Sequence, residues 1–273
     1  MLFDADQARQ YREQGWVLRA GLLAPDEVGA LRAEVPGILA QERPENLREK
    51  NGRAVRSALS CHLYNEAFRR LIRHPRLLEP AQQLLGGPVY VHQFKINPKA
   101  AHDGEIWHWH QDFRNWHVDD GMPEPQVMNA VIFLDDVNEF NGPMMFIPGT
   151  HKLGLIQSTV EPEQPSAAYG RLAPDAARAY EDARVDAWVD KHGLAAPKGP
   201  AGSVLFFDPC IVHASGPNLS PWSRNLALVT YNRVSNAIRR PTRAAFVALQ
   251  DFTPLAPLDD DCLRTLPRST AAA

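Results

Sequence analysis

At Gly86-Gly87-Pro88 the texture of the chain changes, and that change limits the fold more than any other feature. Before it, the sequence reads as helices over 6–11, over 25–39 and over 66–85. The second has Pro25 at its first position and Asp26 and Glu27 in its first turn. The third carries Phe68, Leu71, Ile72 and Leu77, is interrupted at Pro75, and stops at the glycine pair. After that point come short segments rich in β-branched and aromatic residues, separated by turn formers: 89–97, 105–112, 127–134, 144–147, 203–207, 211–213 and 225–231. Helices first and many short strands afterwards predict a mostly β chain, an antiparallel jelly roll with helices packed outside it. Residues 157–198, rich in Ala, Pro and charge, read as a partly helical, lid-like insertion over its mouth. A chain of 273 residues can remain one β-rich domain of this kind, so a single domain over 1–273 is expected.

Net charge is -3, with no basic run longer than Arg239-Arg240, which argues against nucleic acid or an anionic membrane as partner. Three widely separated cysteines fit a reducing compartment better than a disulfide framework. The acidic start and the lack of a long apolar run add to the expectation of a cytoplasmic enzyme.

The segment from Glu105 to Asp112 carries the chemistry. On an extended strand, residues two apart share a face, so His108, His110 and Asp112 are expected to point the same way. His110 and Asp112, joined by a distant histidine, make the two-histidine, one-carboxylate set that leaves one face of iron(II) open for 2-oxoglutarate and O2. His213, following the strand-like run 203–207, supplies that third ligand. Arg224 offers the planar, two-pronged cation that the far carboxylate of 2-oxoglutarate needs, and Ser215 can add a hydroxyl to it. Gln93, Lys95 and Asn97 share one strand face and place polar groups where the interior would otherwise be apolar.

Plainer readings compete with these. A lone histidine on a strand is more often a packed residue than a ligand, and this applies to His62, His74, His92, His102, His117 and His192. His151, in Pro148-Gly-Thr-His151, rivals His213 as third ligand, with His108 and His110 as a pair; that arrangement would make a cupin-like metal-binding module without turnover. Asn141-Gly-Pro143 can be only a turn. Trp107 and Trp109 are expected to point away from the ligand face and pack.

His110-Gln-Asp112, His213-Ala-Ser215 and Arg224 together resemble the phytanoyl-CoA dioxygenase superfamily. The resemblance runs over most of the chain and implies a double-stranded β-helix (jelly-roll, cupin-like) barrel. Within that superfamily the sequence is similar to bacterial hydroxylases of free amino acids, through Glu49-Lys-Asn-Gly-Arg-Ala-Val-Arg56, Val91-His-Gln-Phe-Lys-Ile-Asn97, Asn141-Gly-Pro143 and Thr230-Tyr-Asn232. Those that act on L-proline at C4 resemble it most, and leucine and ectoine hydroxylases share parts of the pattern. The likeness implies metal ligands His110, Asp112 and His213, and a cosubstrate site of Arg224, Ser215, Lys95 and Asn97. It also implies Gln93, Trp116 and Arg243 as substrate contacts, Arg243 for a carboxylate, with Lys95 open to either acid group. A carboxylate at Asp112, where related halogenases have a small residue, implies hydroxylation, with release of succinate and CO2. Leucine, pipecolate, an ectoine-like ring or a larger natural-product intermediate stand as alternative substrates.

Overall fold

The computed structural model describes residues 2–49, 52–159 and 179–266. The first helix, α1 (Ala5–Gln14), begins where the Asp4 carboxylate accepts a hydrogen bond from the Gln7 amide at 2.8 Å, and ends at Gly15, whose φ of 83° suits a residue without Cβ. The second, α2 (Pro25–Leu39), keeps the bounds that the sequence predicts. The stretch expected over 66–85 becomes two helices, α3 (Glu66–Leu71) and α4 (Pro75–Leu85). Pro75 cannot donate an amide to a preceding turn, so it starts a new helix instead of continuing the old one.

A seven-stranded sheet runs in the order β1 (Trp16–Arg19), β8 (Val204–Phe207), β6 (Val127–Phe133), β10 (Arg224–Arg233), β4 (Val89–Lys99), β3 (Val55–Leu59), β2 (Asn46–Arg48). A second sheet has three short strands, β5 (Trp107–His110), β9 (His213–Ser215) and β7 (Met144–Phe146), with β9 in the middle. Every pairing is antiparallel, as in a jelly roll. The expected closed barrel is corrected: no ladder among the described residues joins the two sheets, because strands of three or four residues in the small sheet are too short to reach the edges of the large one.

The sheets meet through side chains. Val131, Phe133, Leu205, Phe207, Leu226 and Leu228 of the large sheet pack on Met144 and Phe146 of the small one. The alternate residues Ala130, Ile132, Phe206, Ala227 and Val229 face Phe68, Leu71, Leu77 and Leu78 of the helices. Strand β6 is therefore buried on both faces, which is why its sequence is apolar almost throughout. Each such side chain contributes about 1.5–3 kcal/mol by leaving water.

One irregularity decides which face of β4 carries function. Thr230 pairs with Gln93 but Tyr231 pairs with Val91, so His92 is an extra residue, a β-bulge. Val89 and Val91 join the helix-side core, while Gln93, Lys95 and Asn97 line a cleft on the other side. In the expected insertion, residues 160–178 lie outside the described residues. Of the rest, α6 (Asp182–His192) packs Val185 with Tyr180, Ile156 and Val212. The loose tail expected over 268–273 also lies outside the described residues. No helix among the described residues is long and apolar enough to cross a membrane, and Cys61, Cys210 and Cys262 are buried free thiols.

Candidate active site

His110 and His213 face each other directly across the β5–β9 ladder. Their ring centroids lie 4.2 Å apart. Each ring is oriented by its own strand: His110 Nδ1 donates to the His108 carbonyl at 2.6 Å, and His213 Nδ1 to the Ile211 carbonyl at 3.0 Å. With Nδ1 protonated, each Nε2 presents a lone pair to the space between them, the tautomer that a metal ligand requires.

Asp112 reaches that space by a different route from the one expected. The strand ends at His110, Gln111 is extended, and Asp112 is the first residue of α5 (Asp112–Val118). A carboxylate is favoured in a first helical turn, where backbone amides are unpaired. Gln111 locks the change of direction. Its amide nitrogen donates to the carbonyls of Gly154 and Cys210, while its oxygen accepts from the Ile156 amide at 2.9 Å and the Tyr180 hydroxyl at 3.2 Å. Asp112 Oδ1 then lies 3.5 Å from His110 Nε2, and Oδ2 lies 3.8 Å from His213 Nε2. These three residues form the one cluster of potential metal ligands found among the described residues, their ligand atoms all within 4.8 Å of one another.

Electrostatics suit the same role. Burial pulls the His213 imidazole down to about 3, so it is neutral at physiological pH. Burial pushes the Asp112 carboxyl up, but Lys95 and the two imidazoles more than offset this and hold it well below the usual carboxylate range. Two imidazoles and a carboxylate, gathered on one side of a cleft, are a donor set that fits iron(II). His151, the rival ligand, is elsewhere: its ring packs against Gly15 and its Nε2 donates to the Arg12 carbonyl at 3.0 Å. His108 is not in the cluster either.

The cleft holds about 830 Å³, counting the part open to solvent. It brings the triad together with Gln93, Lys95, Asn97, Ser215 and Arg224. Arg224 begins β10, is 3% exposed, and its Nε has no hydrogen-bond partner. Burial pulls its guanidinium down to about 10, which leaves it charged at neutral pH. Such an unsatisfied buried cation is costly unless something anionic comes to it. Ser215 Oγ donates to the Gly142 carbonyl at 2.9 Å, so its own oxygen is what remains to accept. Gly142 explains the Asn-Gly-Pro turn: its φ is +70°, and a Cβ there would lie 2.8 Å from the Gly216 carbonyl and from Lys99 Cδ.

Two expected contacts lie off the cleft. Trp116 is buried among Phe113, Met122 and Ile238, edge-on to His92, because α5 turns that face inward. Arg243 is engaged by Asp120, donating from Nε to Oδ1 at 2.7 Å and from Nη2 to Oδ2.

Three polar or aromatic residues of the wall were missed: Trp107, Asn115 and Ser57. Trp107 was expected to point away, but a register shift between Trp107 and His110 puts both on the cleft, with the Arg56 guanidinium 3.8 Å from the Trp107 ring centroid. Asn115 lies one turn after Asp112, a relation visible only once α5 is recognised. Ser57 sits on β3, whose Val-Arg-Ser-Ala-Leu gives little strand signal.

Residues 11–226 match the family model for phytanoyl-CoA dioxygenase (PhyH). The chain is 40% identical over 260 residues to L-proline trans-4-hydroxylase of Streptomyces griseoviridis, covering 94% of this chain and 97% of that protein. It is 35% identical over 268 residues to ectoine dioxygenase of Bordetella parapertussis, covering 93% and 85%. Among solved structures, EctD from S. alaskensis with 2-oxoglutarate and 5-hydroxyectoine superposes with a TM-score of 0.78 at 28% identity, over 91% of this chain and 84% of that one. The form of EctD with bound Fe gives 0.78 at 27%, over 94% and 87%.

Proposed function

Because the chain belongs to the phytanoyl-CoA dioxygenase family, we propose that it is an iron(II)- and 2-oxoglutarate-dependent hydroxylase of a small free amino acid, with L-proline the first substrate to test. One observation carries this reading: a two-histidine, one-carboxylate set opens on the same cleft as a buried arginine whose Nε lacks a partner. A metal-binding module without turnover has no use for that arginine.

His110, Asp112 and His213 would hold the iron. When bound, iron(II) supplies the oxidising chemistry that an unactivated carbon–hydrogen bond requires, with O2 as oxidant and 2-oxoglutarate leaving as succinate and CO2. The protein's own part is placement. Arg224 grips the far carboxylate of 2-oxoglutarate through a charge-assisted pair, and the Ser215 and Asn97 side chains border the same space. Asn97 Oδ1 already accepts from Ser57 Oγ at 2.7 Å, which leaves its amide N–H groups to donate. With Arg224 occupied, Lys95 is the cleft cation left for the substrate carboxylate. Gln93 donates to the Val247 carbonyl at 2.9 Å, and its Oε1 is left to accept from the substrate nitrogen. Leu59, Leu226 and Leu228 give the ring an apolar wall that keeps water from the reacting carbon.

L-Proline leads on the higher identity over nearly the whole of both chains. Ectoine is the second reading, favoured by the Bordetella relative and by the likeness to EctD. Both are small rings with a carboxylate, which the pairing of Lys95 with Gln93 would accept. We place the enzyme in the cytoplasm, in keeping with its three buried free thiols.

The test is anaerobic loading with iron(II), then air and 2-oxoglutarate with L-proline, ectoine, L-pipecolate or L-leucine in turn. Succinate and a product one oxygen heavier, lost in Asp112→Ala, support the reading and identify the substrate. Succinate without any hydroxylated product would reject this panel of substrates. Iron binding without succinate would reject the enzyme reading itself.

A further inference from the structure

His110 and His213 belong to the small sheet and Arg224 to the large one, so a molecule held at both ends measures the separation of the two sheets. Resting on the 2-oxoglutarate site read above, we propose that Lys99 is a positioning residue whose side chain sets that separation, and with it the length of diacid the cleft accepts. Lys99 is the last residue of β4 and lies directly opposite Arg224, the first residue of β10. Both are buried. From there the lysine crosses to the small sheet. Its Nζ donates to the Glu105 carbonyl at 3.0 Å, just before β5, and to the carbonyl of Gly216, the residue that follows β9. The backbone closes the same loop: Asn218 Nδ2 donates to the Lys99 carbonyl at 3.1 Å, and Asn218 pairs with Gly104 in a short antiparallel bridge. One residue of the large sheet is thus bonded to the entrance of β5 and the exit of β9, the strands that carry His110 and His213.

The groove is shaped for that side chain. A Cβ at Gly104 would overlap Lys99 Cγ, and one at Gly142 would lie 2.8 Å from Lys99 Cδ, so two glycines make room for the stem from two sides. A stem packed in this way acts as a spacer of fixed length. Lys99 does not line the cleft, so it acts through Arg224 and the small sheet and not by touching the diacid. Its charge points to the same role. Burial, then Arg224 and Arg56, pull the amine down to about 6, with Glu49 opposing them. Above that pH it is neutral with two N–H groups, one for each carbonyl it meets, and Arg224 is left as the cation for the far carboxylate.

2-Oxoadipate, one methylene longer than 2-oxoglutarate, is the probe. Anaerobic calorimetry on the iron(II)-loaded protein gives Kd for both diacids in the wild type, in Lys99→Met and in Gly104→Ala. Met keeps most of the stem but has no N–H; Gly104→Ala keeps the amine and displaces the stem. Amide hydrogen exchange of the metal-free protein reports on the sheets without any ligand. The wild type should prefer 2-oxoglutarate by about 10- to 200-fold, the usual worth of one methylene in a fitted pocket. In both variants that preference should fall at least about fivefold while Kd for 2-oxoglutarate rises about tenfold, and exchange should quicken over 104–107 and 213–218. A preference unchanged within about twofold in the variants, whether or not they are less stable, would make Lys99 a core residue only and overturn the proposal. So would equal loss of affinity for both diacids, or a wild type that does not distinguish them. Should Lys99→Met fail to fold, Gly104→Ala decides alone. A wild type that binds neither diacid rejects the hydroxylase reading and the length gauge together, whereas one that binds 2-oxoglutarate, with both variants matching it in preference, rejects the gauge alone.

Discussion

Asn129 donates from Nδ2 to Oδ2 of Asp112 at 2.8 Å, and Thr230, its neighbour across the β6–β10 ladder, donates from Oγ1 to Asn129 Oδ1 at 2.7 Å. The carboxylate, which can only accept, fixes which end of the amide faces it, and the threonine hydroxyl donates to the other end, so two strands of the large sheet orient a candidate ligand that belongs to a helix outside it. Removing such an outer partner commonly costs 10- to 100-fold in metal affinity. Asn129→Ala is therefore expected to weaken iron(II) binding by about that factor, and Thr230→Val by less, in an anaerobic titration. Equal affinities in wild type and Asn129→Ala would show that the hydrogen bond does not orient the ligand.

Arg224 gives up stability for binding. Its Nε has no hydrogen-bond partner, and the acidic group whose charge reaches it is Asp135. Arg224→Met should raise the melting temperature of the protein without cosubstrate, because a buried unpaired cation is replaced by an apolar chain of similar reach. The same change should abolish the rise in melting temperature that 2-oxoglutarate gives the wild type. Arg224→Lys, charged but not forked, should raise KM for 2-oxoglutarate about 10- to 100-fold. A variant that still binds 2-oxoglutarate at wild-type strength would place the far carboxylate elsewhere.

How far the sequence reads through to this site depends on the local regularity of the backbone. Strong local signals give their elements directly: α2 lies where Pro25 and its acidic first turn put it and β6 where its β-branched run puts it, while α4 is the second part of the stretch expected over 66–85. The grouping of His110, Asp112 and His213 is legible as well, since residue types and order suffice to bring the three together without knowing what structure each sits on. What parity arguments cannot give is the effect of one extra residue. The shift between Trp107 and His110 brings a tryptophan onto the cleft, and the bulge at His92 separates the two faces of β4; neither leaves a mark in composition. The pairing of Arg243 with Asp120 is hidden for a different reason. The two are 123 positions apart, and a buried pair at that separation has no local signature.

Glu27 ties the outer layer together. It is fully buried at the start of α2, accepts the Ala24 amide at 2.7 Å, and takes Arg76 Nη1 at 2.8 Å and Nη2 at 3.1 Å. Arg76 in turn holds Asp260 at 2.6 Å, so one carboxylate joins two helices to the C-terminal segment. Glu27→Ala strands a guanidinium and an amide that were satisfied, and breaking a buried pair from one side costs about 3–5 kcal/mol. Chemical denaturation should show that loss, with the iron site unchanged in the folded fraction. A loss below about 1 kcal/mol would mean that water replaces the carboxylate.

Asp208 makes stability depend on pH in a way that one substitution isolates. Burial pushes its carboxyl up to about 7, the Cys210 amide donating to it at 2.8 Å. An unfolded aspartate titrates near 3.9. Between those values the folded chain holds the extra proton, so this residue's contribution falls as pH rises through the window and is fully lost above about pH 7. Asp208→Asn cannot ionise and keeps an oxygen for the Cys210 amide. Its stability relative to wild type should be smallest near pH 4, grow up to pH 7 and then level off, reaching at least about 1 kcal/mol, or roughly 2–4 °C in Tm. His62 acts in the opposite sense, because burial pulls its imidazole down to about 4 and folding then becomes more favourable as pH rises toward 6.5. That contribution is common to both proteins and cancels in their difference, so paired melting curves from pH 4 to pH 8 report Asp208 alone. A difference that stays constant across the range would mean that Asp208 is ionised in the folded protein throughout.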